Sequence, residues 1–320
     1  MKTPVFWQTK NALSGALLPL SVLYDMGSTL RRAFTKPVRL PIPVVCVGNL
    51  TAGGSGKTPV AQHIGRTLKS KNIKAFFLTR GYGGNMEGPL LVKPEHTARQ
   101  VGDEPLLLAQ VLPTVVARDR VKGADFALSQ GAEAIIMDDG FQNPSLYKTL
   151  SLLVVDGLTG FGNGRVMPAG PLREPPQSGF ARAHAVIAIN PGTQTPALPK
   201  GKPVMNAKTQ PHTSLALGGQ KLLAFCGIAY PQKFFSMLAK LGATLADTVS
   251  YPDHYQYRQS DIDHLIMKAR EAQAMLATTA KDAVRLPPAF QKQVAVIDMG
   301  LVFENEAALD ALLEHALKHP

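Results

Sequence analysis

The 320-residue chain is 45% hydrophobic and 18% charged, a composition that supports a substantial core and excludes a disordered protein. Its length exceeds what most single cores support, so one large domain or two unequal domains are expected. The formal net charge of +11 predicts an acidic partner, and composition leaves nucleic acid, an anionic membrane and a phosphorylated substrate open.

The first 36 residues are apolar and basic. Their longest uncharged run, Asn11 to Tyr24, has 14 residues, whereas a transmembrane helix needs about 20. Apolar residues recur at helical spacings, and residues 1–40 hold six Lys/Arg against one acid. The pattern fits an amphipathic helix on a membrane surface, or a helix that packs its apolar face onto the domain, and it leaves both open.

Strands and helices alternate from residue 42 to residue 190. Short apolar and β-branched runs predict buried strands, and longer periodic segments predict helices between them. The predicted strands cover residues 42–49, 114–119, 132–140, 151–157 and 184–190, and residues 74–84 predict a strand that runs into a glycine-rich turn. The predicted helices cover residues 59–70, 103–112 and 120–131. This order predicts a doubly wound, mostly parallel α/β sheet.

Residues 191–220 contain several prolines and no sustained period, so we expect an irregular connection between two domains. A second series of strands and helices follows and predicts a smaller α/β domain. The expected division is an N-terminal helix region over residues 1–36, a core domain over 37–205 and the smaller domain over 206–320.

The stretch VGNLTAGGSGKTP, residues 47–59, resembles a phosphate-binding loop between a strand and a helix. It matches G-x-x-x-x-G-K-[ST] except that Thr51 replaces the first glycine. Backbone N–H groups and the helix N-terminus would stabilise phosphate oxygens there. The residues expected to bind the nucleotide are Thr51, Ala52, Gly53, Gly54, Ser55, Gly56, Lys57 and Thr58, with Lys57 at the β- and γ-phosphates and the Thr58 hydroxyl on Mg²⁺.

Asp138 and Asp139 end a hydrophobic strand, an arrangement that holds Mg²⁺ opposite such loops. Strands also often end in Asp because this residue favours turns, so the two acids alone are a weak signal. Together with the glycine loop they support the prediction of a metal site. A guanine-specific switch should carry N-K-x-D after a later strand. The nearest stretch, residues 279–282, places Lys directly beside Asp and does not fit.

Further polar residues each have a functional and an ordinary interpretation. Arg80 and Tyr82 would contact substrate from a mobile turn, or belong to a solvated hairpin. Arg118 and Arg120 would neutralise phosphate charge, or form surface ion pairs. Arg173 and Glu174 lie in a loop bracketed by prolines and would face substrate or metal. Asp103 would be a base or an ordinary helix cap. His254 is a further candidate and lies between Asp253 and Tyr255.

The order of several motifs identifies a family resemblance. VGNLTAGGSGKTP, TRGYGG, VGDEPLLLA, ARDR, MDDGFQN, GPLREP, PDHY and TTAKDAVRL occur in sequence, and the chain resembles the tetraacyldisaccharide 4′-kinases, the lipid A 4′-kinases of Gram-negative bacteria. Thr51 is characteristic of that family's loop. One departure is Ala280, where the family pattern has Glu.

The resemblance implies a P-loop NTPase-like fold and transfer of the ATP γ-phosphoryl group, with Mg²⁺, to the 4′-hydroxyl of tetraacyldisaccharide 1-phosphate. It implies Asp103 as the base and His254, from the smaller domain, as its partner, with Lys57 also catalytic. It further implies a peripheral protein on the cytoplasmic face of the inner membrane, whose N-terminal helix meets anionic lipids through Lys10, Arg31, Arg32 and Lys36.

Three alternatives come from other classes. A soluble small-molecule P-loop kinase would not need the N-terminal helix, and a non-catalytic membrane-bound nucleotide switch would lack an acceptor base. A nucleic-acid-binding ATPase would explain the charge, but the basic and aromatic residues are not interleaved as stacking on bases requires. We therefore expect no nucleic-acid partner.

Overall fold

The structure, a computed structural model, describes residues 4–213, 216–228 and 230–320. Within these residues the strands are β1 Val44–Gly48, β2 Ala75–Thr79, β3 Leu90–Leu91, β4 Thr114–Val116, β5 Ala134–Asp138, β6 Leu150–Asp156, β7 Ala185–Ile189, β8 Val204–His212, β9 Lys221–Cys226, β10 Thr244–Ser250, β11 Met275–Thr279 and β12 Ala295–Phe303. The helices are α1 Ala12–Ala16, α2 Leu18–Phe34, α3 Lys57–Ser70, α4 Ala98–Val101, α5 Asp103–Ala109, α6 Arg120–Ser129, α7 Pro176–Arg182, α8 Pro231–Lys240, α9 Gln259–Glu271, α10 Ala280–Ala283, α11 Pro288–Gln291 and α12 Glu306–Lys318.

The strands form one continuous sheet with the order β10-β9-β11-β12-β8-β7-β6-β1-β5-β2-β4-β3. Neighbouring strands pair in parallel except at β8–β12 and β3–β4. Apolar side chains of alternate strand residues enter cores on both faces, with α3, α5 and α12 on one side and α6 and α7 on the other. The prediction of a doubly wound, mostly parallel α/β sheet is confirmed.

Strands β9, β10 and β11 and the start of β12 carry their own two cores, one against α8 and one against α9. We call this part the smaller lobe and the remainder the larger lobe. Strand β12 joins them, because Ala295–Ile297 pair with β11 while Asp298–Phe303 pair with β8. The last helix, α12, packs back into the core of the larger lobe through Leu309 and Leu313.

The prediction of an irregular connection over residues 191–220 is wrong for β8. This strand lies between parallel β7 and antiparallel β12, and its side chains alternate between buried and exposed in its first half and are mostly exposed beyond it. A strand with so much solvated surface needs no continuous apolar run, so the pattern that predicted the buried strands does not detect it.

The N-terminal segment consists of a 3₁₀ turn over Val5–Trp7, α1 and the longer α2. Polar groups attach it to the loop over residues 161–170: the Trp7 indole donates to the Pro168 carbonyl at 3.0 Å, and the Ser21 hydroxyl to the Val166 carbonyl at 2.7 Å. In the described part of the chain, no helix combines the length and the apolar character that crossing a bilayer requires.

Helix α2 exposes its apolar side chains and packs its polar side against the protein, the opposite of a helix on the surface of a soluble core. Ser21 is its one buried residue, whereas many large apolar side chains are exposed to solvent. The exposed residues are Leu18, Leu20, Val22, Leu23, Tyr24, Met26, Leu30 and Phe34. The apolar face of this helix therefore points away from the protein.

Candidate active site

The loop between β1 and α3 encloses the N-terminus of a 14-residue helix. The Asn49 side-chain amide donates to the Thr51 carbonyl at 2.8 Å and to the Ser55 hydroxyl at 2.7 Å, which fixes the loop from inside. Gly56 has φ of +78°, and a Cβ on it would lie 2.5 Å from Ile189 Cδ1. Only glycine fits both conditions, so the glycine before Lys57 is required by the turn.

Thr51 occupies the position of the missing motif glycine without strain. It forms an antiparallel bridge with Leu172, and the Ala52 N–H donates to the Pro171 carbonyl at 2.7 Å. The Arg173 N–H in turn donates to the Leu50 carbonyl at 2.6 Å. The start of the loop is therefore extended and paired with residues 171–173, where a β-branched residue is favoured over glycine.

Lys57 and Thr58, at the start of α3, face the acids at the end of β5. Residues Val47 and Asp138 are register partners in the parallel pair β1–β5. The Thr58 hydroxyl donates to Asp138 Oδ2 at 3.3 Å, while buried Asp138 Oδ1 has no hydrogen-bond partner in the described residues. Burial first, and the nearby Glu104 carboxylate second, raise the pKa of Asp138 to about 7.

An orphaned, buried carboxylate oxygen beside a hydroxyl is an arrangement that a hard cation would stabilise. The residues therefore fit Mg²⁺, with Asp138 and Thr58 as the available oxygen donors. Among the described residues, no group of three or more His, Cys, Asp or Glu side chains could hold a metal. A metal at Asp138 would therefore also need hydroxyl or phosphate oxygens as ligands.

Asp139 is paired with cations. Arg173 donates to both of its oxygens, at 2.6 and 3.0 Å, and Lys57 Nζ lies 3.8 Å from Oδ1. Burial acts to raise the pKa of Asp139, but the charges of Lys57 and Arg173 outweigh it and the net shift is downward. This aspartate therefore remains ionised and aligns two cations at the phosphate loop.

Glu174 is fully buried and also paired. It accepts from Arg182 at 2.7 Å and from the Gln142 amide at 2.9 Å, and Arg32 of α2 lies 3.8 Å away. Its role as a metal ligand stays a prediction, because in this arrangement its carboxylate already balances cations from α7 and α2.

The base candidates come together across the two lobes. Asp103, the first residue of α5, accepts a hydrogen bond at 2.7 Å from Nδ1 of His254, which follows β10 in the smaller lobe. Burial acts to raise the pKa of Asp103, but the hydrogen bond from His254 and the charge of Arg285 outweigh it and lower the pKa. The His254 side chain is half exposed, so the pair is open to an acceptor molecule on one side.

Arg285 is a site residue that sequence reasoning missed. Its side chain is 0% exposed, and its Nε donates to Asp103 Oδ2 at 2.9 Å. The sequence signal for it is the motif TTAKDAVRL, which contains both Asp282 and Arg285 and is one of the motifs that carry the family resemblance. The two contacting residues, Asp103 and Arg285, are 182 positions apart, so no local pattern could pair them.

The substrate candidates differ in their surroundings. Arg80 and Tyr82 are exposed on the turn after β2, whereas Arg118 forms an exposed ion pair with Glu87. Arg120 is buried, and its Nε has no hydrogen-bond partner in the described residues. Burial, and then the charge of Arg80, lower its pKa to about 10. Arg120 is thus a buried cation with unused donor capacity beside the strand-end acids.

A glycine loop at the N-terminus of α3, with strand-end acids opposite and a basic shell around it, defines a P-loop nucleotide-binding protein of the α/β class.

Comparison with known proteins then identifies the family. The family model of the tetraacyldisaccharide-1-P 4′-kinases matches residues 13–318. The chain is 46% identical to the tetraacyldisaccharide 4′-kinase of Rhodospirillum rubrum over 99% of this chain and 98% of that relative. It is also 46% identical to that of Paramagnetospirillum magneticum, over 98% of each. A crystal structure of LpxK from Aquifex aeolicus in complex with ATP matches with a TM-score of 0.78 and 29% identity, covering 95% of this chain and 99% of that one. The chain belongs to the tetraacyldisaccharide-1-P 4′-kinase family, and the resemblance expected from its motifs is confirmed.

Proposed function

We propose that this chain transfers the γ-phosphoryl group of ATP to the 4′-hydroxyl of tetraacyldisaccharide 1-phosphate, producing lipid IVA for lipid A biosynthesis. The observation that carries the proposal is the phosphate loop with Thr58 and the orphaned Asp138 oxygen beside it. In a member of this family, such a cradle is suited to a magnesium–nucleotide complex.

The loop residues Thr51 to Thr58 would hold the ATP phosphates, with Lys57 compensating charge on the transferred group. Thr58 and Asp138 would hold Mg²⁺, which supplies charge neutralisation for the phosphates when it is bound. Asp139 keeps Lys57 and Arg173 aligned through its ion pairs. Arg120, with its unpartnered Nε, and the exposed Arg80 would meet the remaining phosphate oxygens, which are the acceptors that guanidinium groups favour.

The Asp103–His254 pair would orient the acceptor hydroxyl and take its proton as the new P–O bond forms. Both partners of Asp103 converge on Oδ2, and within the described residues no hydrogen bond reaches Oδ1. Oδ1 is therefore available to the hydroxyl. The O–P bond to the 4′-oxygen forms, the bond to the ADP leaving oxygen breaks, and the hydroxyl proton passes to the pair.

The exposed apolar face of α2 supports an interfacial location. Its exposed apolar residues would enter the lipid, while exposed Lys10, Arg31 and Lys36 would meet anionic headgroups at about 1 kcal/mol per cation. Arg32 of the same helix contacts Glu174, next to Arg173. A membrane-anchored disaccharide would thus be delivered close to the phosphate loop, on the cytoplasmic face of the inner membrane.

The test is a transfer assay with [γ-³²P]ATP, Mg²⁺ and detergent-dispersed disaccharide lipid, read as label in the lipid product. A parallel reaction with deacylated disaccharide 1-phosphate separates this function from a soluble small-molecule kinase. We expect label in the acylated acceptor, formed about 10²- to 10⁴-fold more slowly when Asp103 is replaced by Ala. Labelling of neither acceptor by the wild-type chain would refute the proposal.

A further inference from the structure

Arg285 connects the two lobes through a guanidinium group that is fully enclosed. Its Nε donates to Asp103 Oδ2 at 2.9 Å, and its Nη1 donates to the Gly227 carbonyl at 3.0 Å and to Asp282 Oδ1 at 3.1 Å. Nη2 lies equally close to Asp103 Oδ2 but is not aligned to donate a hydrogen bond. One arginine therefore fixes a side chain of the larger lobe and a backbone oxygen of the smaller one.

The same Gly227 carbonyl also accepts the backbone N–H of His254, at 3.2 Å. His254 has φ of +59°, a conformation that is unfavourable for a non-glycine residue and needs support from its surroundings. A Cβ on Gly227 would lie 2.9 Å from the Pro252 carbonyl, so a larger residue would displace this turn. Arg285 thus shares an anchor with the backbone that presents the imidazole.

Asp282 holds Arg285 in place. It is 0% exposed and accepts from the Gly227 N–H at 2.7 Å, the Tyr257 hydroxyl at 2.8 Å and the Thr279 hydroxyl at 2.6 Å. With so many donors on one carboxylate, neither Asp282 nor the guanidinium paired with it can reorient without breaking buried hydrogen bonds.

We propose that Arg285 is a positioning residue, which fixes Asp103 and His254 relative to each other for activation of the acceptor hydroxyl. By occupying Oδ2 together with His254, it turns Oδ1 of Asp103 toward the open side. The planar guanidinium reaches Asp103, Gly227 and Asp282 at once, whereas a lysine ammonium at this position would lack that fixed fork. This inference rests on the proposed kinase function.

The experiment compares Arg285→Lys and Arg285→Ala with wild type in the lipid phosphorylation assay. Arg270→Ala, at an exposed arginine of α9 in the same lobe, is the matched control. We expect Arg285→Ala to lower kcat about 10- to 100-fold, which is less than the full contribution of general base catalysis. The KM for ATP should stay within about twofold of the wild-type value. Arg285→Lys should lose kcat to a lesser degree, and millimolar guanidinium should restore activity to Arg285→Ala several-fold but not to Asp103→Ala.

Thermal unfolding and ATP binding are measured on every variant, and kcat is expressed per folded molecule. If Arg285→Ala does not fold, Arg285→Lys decides the result alone: lower kcat with unchanged KM for ATP supports the inference, and wild-type kcat refutes it. A loss accounted for by the unfolded fraction, or an equal loss in Arg270→Ala, also refutes it. Absence of lipid phosphorylation by the wild-type chain would instead refute the proposed function.

Discussion

The exposed apolar face of α2 leads to a quantitative prediction about membrane binding. Leu20, Leu23 and Leu30 are 52%, 63% and 51% exposed. Complete burial of a leucine side chain stabilises by about 2 kcal/mol, so moving the exposed half of each into lipid contributes about 1 kcal/mol. Replacing all three with Ser should therefore weaken vesicle binding by about 3 kcal/mol, or about 100-fold.

The assay is co-sedimentation with vesicles that contain anionic lipid, combined with kinase activity on bilayer-embedded and detergent-dispersed acceptor. The control replaces three residues of similar exposure outside α2, Leu158, Met267 and Val302, with Ser. The α2 variant should lose bilayer activity much more than dispersed activity, and the control should retain both. Unchanged sedimentation of the α2 variant, or an equal loss with both acceptors, would contradict the assignment of this face to the membrane.

The other predictions concern the site. Lys57→Ala should abolish turnover while thermal unfolding changes little, and residual wild-type-like turnover would remove Lys57 from the nucleotide site. Asp138→Asn should raise the Mg²⁺ concentration needed for activity but leave the unfolding temperature of the metal-free protein unchanged or higher, because it removes a buried carboxylate charge whose Oδ1 has no partner in the described residues. Asp103→Ala and His254→Ala should each lower kcat about 10²- to 10⁴-fold, and the double variant should be little worse than the poorer single one; additive losses would separate the two roles. Asp103 faces His254 and Arg285, and folding lowers its pKa from 3.8. The stability that ionised Asp103 contributes is therefore complete above the unfolded pKa and is lost as the pH falls through the lower folded pKa. The difference in unfolding temperature between wild type and Asp103→Asn should accordingly shrink on acidification below about pH 4, and a constant difference would contradict this linkage.

The parts of the fold that the sequence predicts well have local causes. The apolar run before Gly48, the glycines of the loop and the helical period after Lys57 all lie within 30 residues, and the structure contains β1 and α3 as expected. The strand β8 has no such local signal, because its neighbours β7 and β12 decide its pairing and most of its side chains are at least partly exposed. The expected domain boundary at residue 205 falls inside this strand and stays a prediction.

The residues of the candidate site likewise divide into those with a local sequence signal and those that depend on distant contacts. The family resemblance predicts the pairing of Asp103 with His254, whereas no spacing does, because their 2.7 Å contact spans 151 positions of sequence. Arg285 cannot be predicted in the same way, because a buried arginine is recognised by its partners, and those partners come from α5 and from the turn at Gly227. Sequence patterns identify residues that act through their own backbone, such as the loop glycines, more readily than residues that act through distant contacts.

The departure of the loop from the common motif has a structural counterpart in the position of Arg173. Because Thr51 is extended, residues 50–52 can pair with residues 171–173, and this pairing brings the Arg173 side chain to Asp139. A glycine at position 51 would weaken that pairing, since glycine loses more conformational entropy when it is fixed in an extended bridge. Asp139 in turn lies within 4 Å of Lys57. The threonine that replaces the first motif glycine therefore belongs to the chain of contacts through which Asp139 aligns Lys57 and Arg173.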